Sequence, residues 1–296
     1  MTTYEATQAV QPTTFTGRLV RFIGRVPVHL TLIIVTLIWL IPTLGLAVAS
    51  FRPRSEIGSV GWWHAFFHPN WTLHNYGSVL HSAGMGHAFL NSLYITLPAT
   101  ILPLTLGALA AFAFAWIPFP FRDTIFLFVV ALMVVPIQTS FIPLVKLFRD
   151  FGHLNNQFYG IWLAHTAFGL PLAIFLLRNF FIALPKDLIE AARMDGASNL
   201  AIFRRVVVPL SVPALAAYAI FQFLWVWNDL LMALVFLSDP AKRPMTVQIV
   251  TLLSTYGQEY NLLSASAFLL MIVPLIVFFS LQRYFVQGLL AGSVKS

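Results

Sequence analysis

The chain has 296 residues, of which 59% are hydrophobic and 9% charged, with a mean hydropathy of +0.83. Soluble domains carry roughly 25% charged residues, so this composition excludes a water-soluble chain of one or two domains and predicts a polytopic membrane protein. No cysteine is present, which excludes disulfides and thiolate-ligated metals, and the net charge of +7 sits in short segments between apolar runs, as the positive-inside rule requires, rather than on a nucleic-acid-binding face.

Residues 1–27 are predicted to be a cytoplasmic N-terminal tail. Its first 16 or so residues are polar and rich in Thr and Gln, a composition that favours disorder, and Arg18, Arg21 and Arg25 come next. An apolar run then extends from about Val28 to Ala49. Ala47-Val48-Ala49 resembles a small-x-small cleavage site, but the apolar core of a signal peptide spans only roughly 7–15 residues, so a retained first transmembrane helix is expected. Residues 51–87 read as an external loop with Trp62, Trp63 and Trp71 as interfacial anchors. Further spans are expected at about Phe89–Trp116, Ile125–Val145, Phe158–Leu177, Val212–Leu237 and Ser264–Phe285. They lie within a transmembrane domain of residues 28–289, with a short cytoplasmic tail, 290–296, after it. The expected fold is all-α with six transmembrane helices. Six spans place both termini on one side, and with the N-terminus inside, eleven of the seventeen Lys and Arg fall in cytoplasmic segments, which predicts N-in, C-in.

The segment between spans four and five, residues 178–211, differs from all the others in its dense mix of charges. Pro185 can open a helix at its first position, with Asp187 and Glu190 in the first turns, where carboxylates favour the positive end of the helix dipole. Leu188, Ala191, Ala192 and Asp195 fall on adjacent faces, and the two alanines keep one face low enough for another surface to approach. Gly196 suits the position just past a helix end, where a left-handed backbone meets no Cβ strain. Ser198 can cap a second helix with Leu200, Phe203, Val207 and Leu210 as its apolar stripe. Two short helices joined by a glycine elbow are therefore predicted to project from the membrane.

Glu190-Ala191-Ala192, Gly196, then Val206, Val208 and Pro209 resemble the EAA loop of bacterial ABC importer permeases, with Val206 and Val208 as mild apolar departures. Asn91-Ser92, Trp227-Asn228-Asp229 and the tail from Gln282 to Lys295 extend the likeness to the second permease subunit of maltose-type carbohydrate importers, across most of residues 28–296. The resemblance implies a coupling loop at residues 185–210 that docks on a cytoplasmic ATPase. Glu190, Ala191, Ala192, Asp195, Gly196 and Ala197 would carry that contact, with Glu190 paired to a basic residue of the ATPase and Gly196 forming the bend. It further implies a homologous permease subunit, two ABC ATPase subunits and an extracytoplasmic sugar-binding protein as partners, in the bacterial inner membrane. The chain itself would bind no cofactor and catalyse nothing, because ATP and Mg2+ would sit on the ATPase. No glycine-rich phosphate loop with Lys-Ser/Thr occurs in the sequence.

Asn228 and Asp229 form a polar pair toward the outer part of span five, read either as a gate in the pathway or as a hydrogen bond to the other permease subunit, the second being the commoner fate of polar residues in bundles. Gln138, Thr139 and Ser140, beside Pro136, are candidates to line a sugar path. His64 and His68 are four residues apart but lack an acidic partner, so an interfacial loop is expected rather than a metal site. A secondary transporter working without an ATPase is the alternative function. It would need a coupling site in mid-membrane, for which Asp229 is the intramembrane carboxylate, and no internal sequence repeat supports it.

Overall fold

A computed structural model describes residues 15–57, 60–150, 153–255 and 259–291. Among these described residues there are fourteen α-helices, in chain order α1 Phe15–Ser50, α2 Arg54–Ile57, α3 His74–His81, α4 Met85–Trp116, α5 Arg122–Ala131, α6 Phe141–Asp150, α7 Phe158–Ile182, α8 Lys186–Met194, α9 Asn199–Ile202, α10 Val208–Leu210, α11 Val212–Trp227, α12 Leu231–Phe236, α13 Met245–Thr255 and α14 Tyr260–Ala291. Four of them, α1, α4, α7 and α14, are long and apolar enough to cross a membrane alone. Two further bent pairs bring the crossings to as many as six. With lipid unable to satisfy backbone polar groups, helices close their own hydrogen bonds and the crossings are helical.

The first span, Val26–Ser50, starts close to where its apolar composition places it, but the helix that carries it begins earlier. The backbone is already helical at Phe15, so the part of the expected disordered tail that is described, Phe15 and Thr16, is ordered, and residues 1–14 lie outside the described residues. At the other end α14 runs to Ala291, and the remainder of the expected tail lies outside the described residues.

The third span is not one straight helix. Residues 122–134 and 137–150 meet at 95°, with Pro136 at the break. A proline removes a backbone donor and disfavours the helical conformation of the residue before it, which is why Val135 is extended there. The fifth span is likewise interrupted: α11 stops at Trp227, and α12 resumes only after Asn228, Asp229 and Leu230. At 16 residues α11 is about 24 Å long, short of a core of ~30 Å. The segment after α12 is not a simple loop, because α13 folds back with Met245, Val247 and Leu252 buried.

The bundle is centred on α4 and α7, whose facing residues are small. A Cβ added at Gly107 would come within 2.5 Å of the Cβ of Ala173, so only glycine allows this approach. Close backbone packing of this kind substitutes in a bilayer for the missing hydrophobic drive. Polar side chains inside the bundle are paired across helices. Gln222 Nε2 donates to the Ala99 carbonyl at 3.1 Å, Tyr218 donates to the Gly169 carbonyl at 3.0 Å, and Trp227 Nε1 donates to the Leu270 carbonyl at 2.9 Å.

Candidate functional site

The charged segment folds as the two-helix elbow its sequence predicts. Pro185 is one position earlier than expected, capping α8 from an extended conformation instead of occupying its first turn. After Met194 the chain turns at Gly196, whose φ of +77° lies in the left-handed region, and its N–H donates to the Arg193 carbonyl at 3.0 Å. The Ser198 hydroxyl accepts from the Ala201 N–H at 3.3 Å and so caps α9.

The second arm departs from the predicted stripe. Residues Phe203–Val207 form a π-helical turn, which widens the helix and rotates the residues after it. Ile202 and Val207 are fully buried, whereas Leu200 and Leu210 face outward. The arm then meets α11 at 79°. Ile189, Ile202 and Val207 form one apolar cluster with Ala108, Ala111 and Phe112 of α4 and with Leu177 and Phe181 of α7, and Ala192 and Ala197 pack at its edge. Phe112 and Phe203 pack with their ring centroids 5.4 Å apart. The elbow thus rests on the ends of the spans through its inner face.

Its outer face is bare. Glu190, Ala191, Asp195 and Gly196 are exposed, with Leu188 and Met194 beside them, and Met194 retains 88% of its surface. Among the described residues, no hydrogen bond or ion pair engages the carboxylates of Asp187, Glu190 or Asp195. The six predicted contact residues therefore divide, with four outward and the half-buried Ala192 and Ala197 against the bundle. Arg193, which the motif does not single out, turns back toward the bundle and donates to the Trp116 carbonyl at the end of α4 at 2.7 Å. Its sequence signal is only that of a basic residue in a last helical turn.

The remaining candidates lie elsewhere and do not form one site. Gln138, Thr139 and Ser140 make the turn after Pro136, with the Thr139 hydroxyl donating to the Pro136 carbonyl at 2.7 Å. Ser140 lines a cleft of about 370 Å³ with Gln222, Trp225, Phe168 and apolar residues at the break between Leu132 and Ile137. Asn228 is exposed and donates to the Leu224 carbonyl of its own helix at 2.8 Å. Asp229 is not on the continuous helix its spacing from Pro213 implies. It lies just before the Leu230 N-cap of α12, its carboxylate accepting from the Ala233 N–H at 3.2 Å, and its carbonyl accepts from the Thr246 hydroxyl at 2.7 Å. It borders a small pocket whose lining mixes Ser92, Thr96 and His165 with Ile95, Ile161 and Trp227. The His64 and His68 rings stack 4.5 Å apart in the 3-10 turn and loop of the expected interfacial segment.

The end of the molecule opposite the elbow holds a polar network that the sequence does not announce. Arg52, 1% exposed, donates to the Glu56 carboxylate at 3.1 Å and to the Gly61 carbonyl at 3.2 Å. Buried Asn75 donates to the carbonyls of Ser50 and Arg52 and accepts from Asn261 at 2.9 Å. Hydrogen bonds from Asn70 and then Arg52 hold the Glu56 carboxyl below its ordinary value.

Residues 103–291 match the family described as binding-protein-dependent transport system inner membrane component. The osmoprotective compounds uptake permease protein GgtD of Synechocystis is 54% identical over 286 residues, covering 95% of this chain and 96% of that one. The alpha-glucoside transport system permease protein AglG of Rhizobium meliloti is 54% identical over 232 residues, covering 77% of this chain and 61% of its own length. Among solved structures, a chain of a bacterial ABC transporter involved in import of the acidic polysaccharide alginate shares the fold, with a TM-score of 0.74 at 23% identity, covering 92% of this chain and 98% of that chain. Family and relatives are those of transport permeases, and the secondary transporter is not favoured. The chain belongs to the family of binding-protein-dependent transport system inner membrane components, as an ABC transporter permease subunit and not an enzyme.

Proposed function

We propose that this chain forms half of the translocation pathway of an importer for a sugar or oligosaccharide and docks on a cytoplasmic ATPase through its elbow. The observation that carries the reading is the two-sidedness of α8. Ile189 is sealed into the bundle while Glu190, Ala191, Met194 and Asp195 stand free on the other side. A helix that served only to close a loop would gain nothing from leaving Leu188 and Met194 bare beside those carboxylates. Relatives named for uptake of alpha-glucosides, or of melibiose, raffinose and stachyose, support a carbohydrate cargo. The complex would hold a homologous permease subunit, two ATPase subunits carrying ATP and Mg2+, and an extracytoplasmic binding protein. Both termini would then face the cytoplasm with the elbow.

Closure of the ATPases on ATP would displace the elbow, and the packed contact with α4, α7 and α11 would pass that displacement to the spans as rocking between inward-open and outward-open states. Gln138, Thr139 and Ser140 sit at the break of the third span, beside the cleft, where cargo would pass. Affinity purification of the tagged chain from its native membranes tests the reading. A co-purifying nucleotide-binding chain is expected, and its absence would overturn the ATPase-docking role.

A further inference from the structure

The elbow is joined to the bundle by more than apolar packing. Arg193 of α8 donates to the carbonyl of Trp116 at 2.7 Å. That carbonyl belongs to the last turn of α4, one of the four that a helix leaves without an internal partner, at the negative end of its dipole. A guanidinium is well suited to it. Trp116 in turn donates from Nε1 to the Phe181 carbonyl at 3.1 Å, in the last turn of α7. Three residues back on α7, Arg178 reaches α5: its Nη2 lies 3.5 Å from the Asp123 carboxylate, and its guanidinium sits 3.9 Å from the centre of the Phe126 ring. Directed polar contacts thus run from α8 to α4, from α4 to α7 and from α7 to α5.

The last of these contacts is incompletely made. The Arg178 side chain is 16% exposed, and its Nε is buried without an acceptor. Asp123, 74% exposed, is shared with Arg122 at 3.3 Å. A buried unsatisfied donor is costly, and a modest shift of α5 against α7 would change how it is met. The helix α5 is also the near arm of the broken third span, whose far arm bends by 95° beside the cleft.

We propose that Arg193 and Arg178 are positioning residues that carry displacement of the elbow to α5 and so to the broken span. This rests on the docking reading above. The native chain has no cysteine, so paired spin labels can be placed in it without removing thiols of its own. Labels at Leu127 on α5 and Ile276 on α14, both exposed, would report movement of α5 in the complete transporter when Mg-ATP and vanadate are added. The expected result is a distance change that falls to less than about half in Arg193→Gln and in Arg178→Gln, with the ATPase still bound and hydrolysing. Arg193→Lys and Arg178→Lys should recover much of the change, since each keeps a cationic donor. A purely structural role would lower the yield of complex and leave the distance change intact in the fraction that assembles. An unchanged distance change in both Gln variants, with ATPase bound, overturns the proposal. Failure of the unmutated chain to hold an ATPase would instead overturn the docking reading beneath it.

Discussion

The two ends of the bundle are held together by different physics. At the elbow end, Ile189, Ile202 and Val207 are buried in an apolar cluster, and the carboxylates above them are unpaired. At the opposite end, Arg52, Asn75 and Asn261 are buried and hydrogen-bonded to one another's backbone or side chains. Apolar packing, joined by the one guanidinium of Arg193 on the Trp116 carbonyl, holds the elbow in place without using its carboxylates, so Asp187, Glu190 and Asp195 stay available to another molecule. A buried polar network uses its groups internally and fixes one geometry. The first end is built for contact and the second for shape.

The strongest way to break that distinction is to stiffen the elbow where it must turn. Gly196→Pro cannot adopt a φ of +77° and removes the N–H that bonds Arg193. Uptake and transport-coupled ATP hydrolysis in vesicles should be abolished while membrane insertion remains. Gly196→Ala, with open space around its Cβ, should cost only about 1 kcal/mol of local strain and keep most of the uptake.

At the other end the effect should appear as stability. Asn75→Ala would strand two carbonyls and the Asn261 amide, and should destabilise the folded chain by about 2–4 kcal/mol in thermal unfolding in detergent. Its transport per folded molecule should change little. If Gly196→Pro and Asn75→Ala gave the same pattern, the two ends would not differ as described.

Much of this division is legible in the sequence at one end and little at the other. Gly196 and Ser198 are readable because a positive φ and a helix cap each demand particular residue types at particular places. Leu210 leaves the expected apolar stripe because the π-turn at Phe203–Val207 breaks the helical period before it, and Leu200 leaves it because the arm's first turn buries Ile202 instead. Pro136 marks an interruption, but the 95° turn depends on packing that no local pattern encodes. Arg52, Asn75 and Asn261 come from separated segments, and their burial exists only once those segments meet.

Two smaller effects sharpen the contrast. Ser198→Ala removes a cap on the elbow and should cost about 1 kcal/mol, seen as faster hydrogen exchange in residues 199–202 with the far end unaffected. Acidification should act in the reverse sense. Asn70 and Arg52 lower the Glu56 pKa, so its contribution is present above the ordinary carboxylate value and is lost as pH falls through the lowered one. Proteolysis of the loop around Glu56 should quicken in that acidic window before exchange at the elbow does, and Glu56→Gln should remove the difference.

The central claim is that the exposed face of α8 is a partner's docking surface. A single cysteine placed at Met194, in a chain with none of its own, tests it by short-reach cross-linking in native membranes. A cysteine at Trp63, also open, at the other end with 61% of its surface exposed, serves as control. An adduct is expected between Met194→Cys and a nucleotide-binding subunit, and none with that subunit from Trp63→Cys. No adduct at Met194, or the same adduct at both positions, would contradict it.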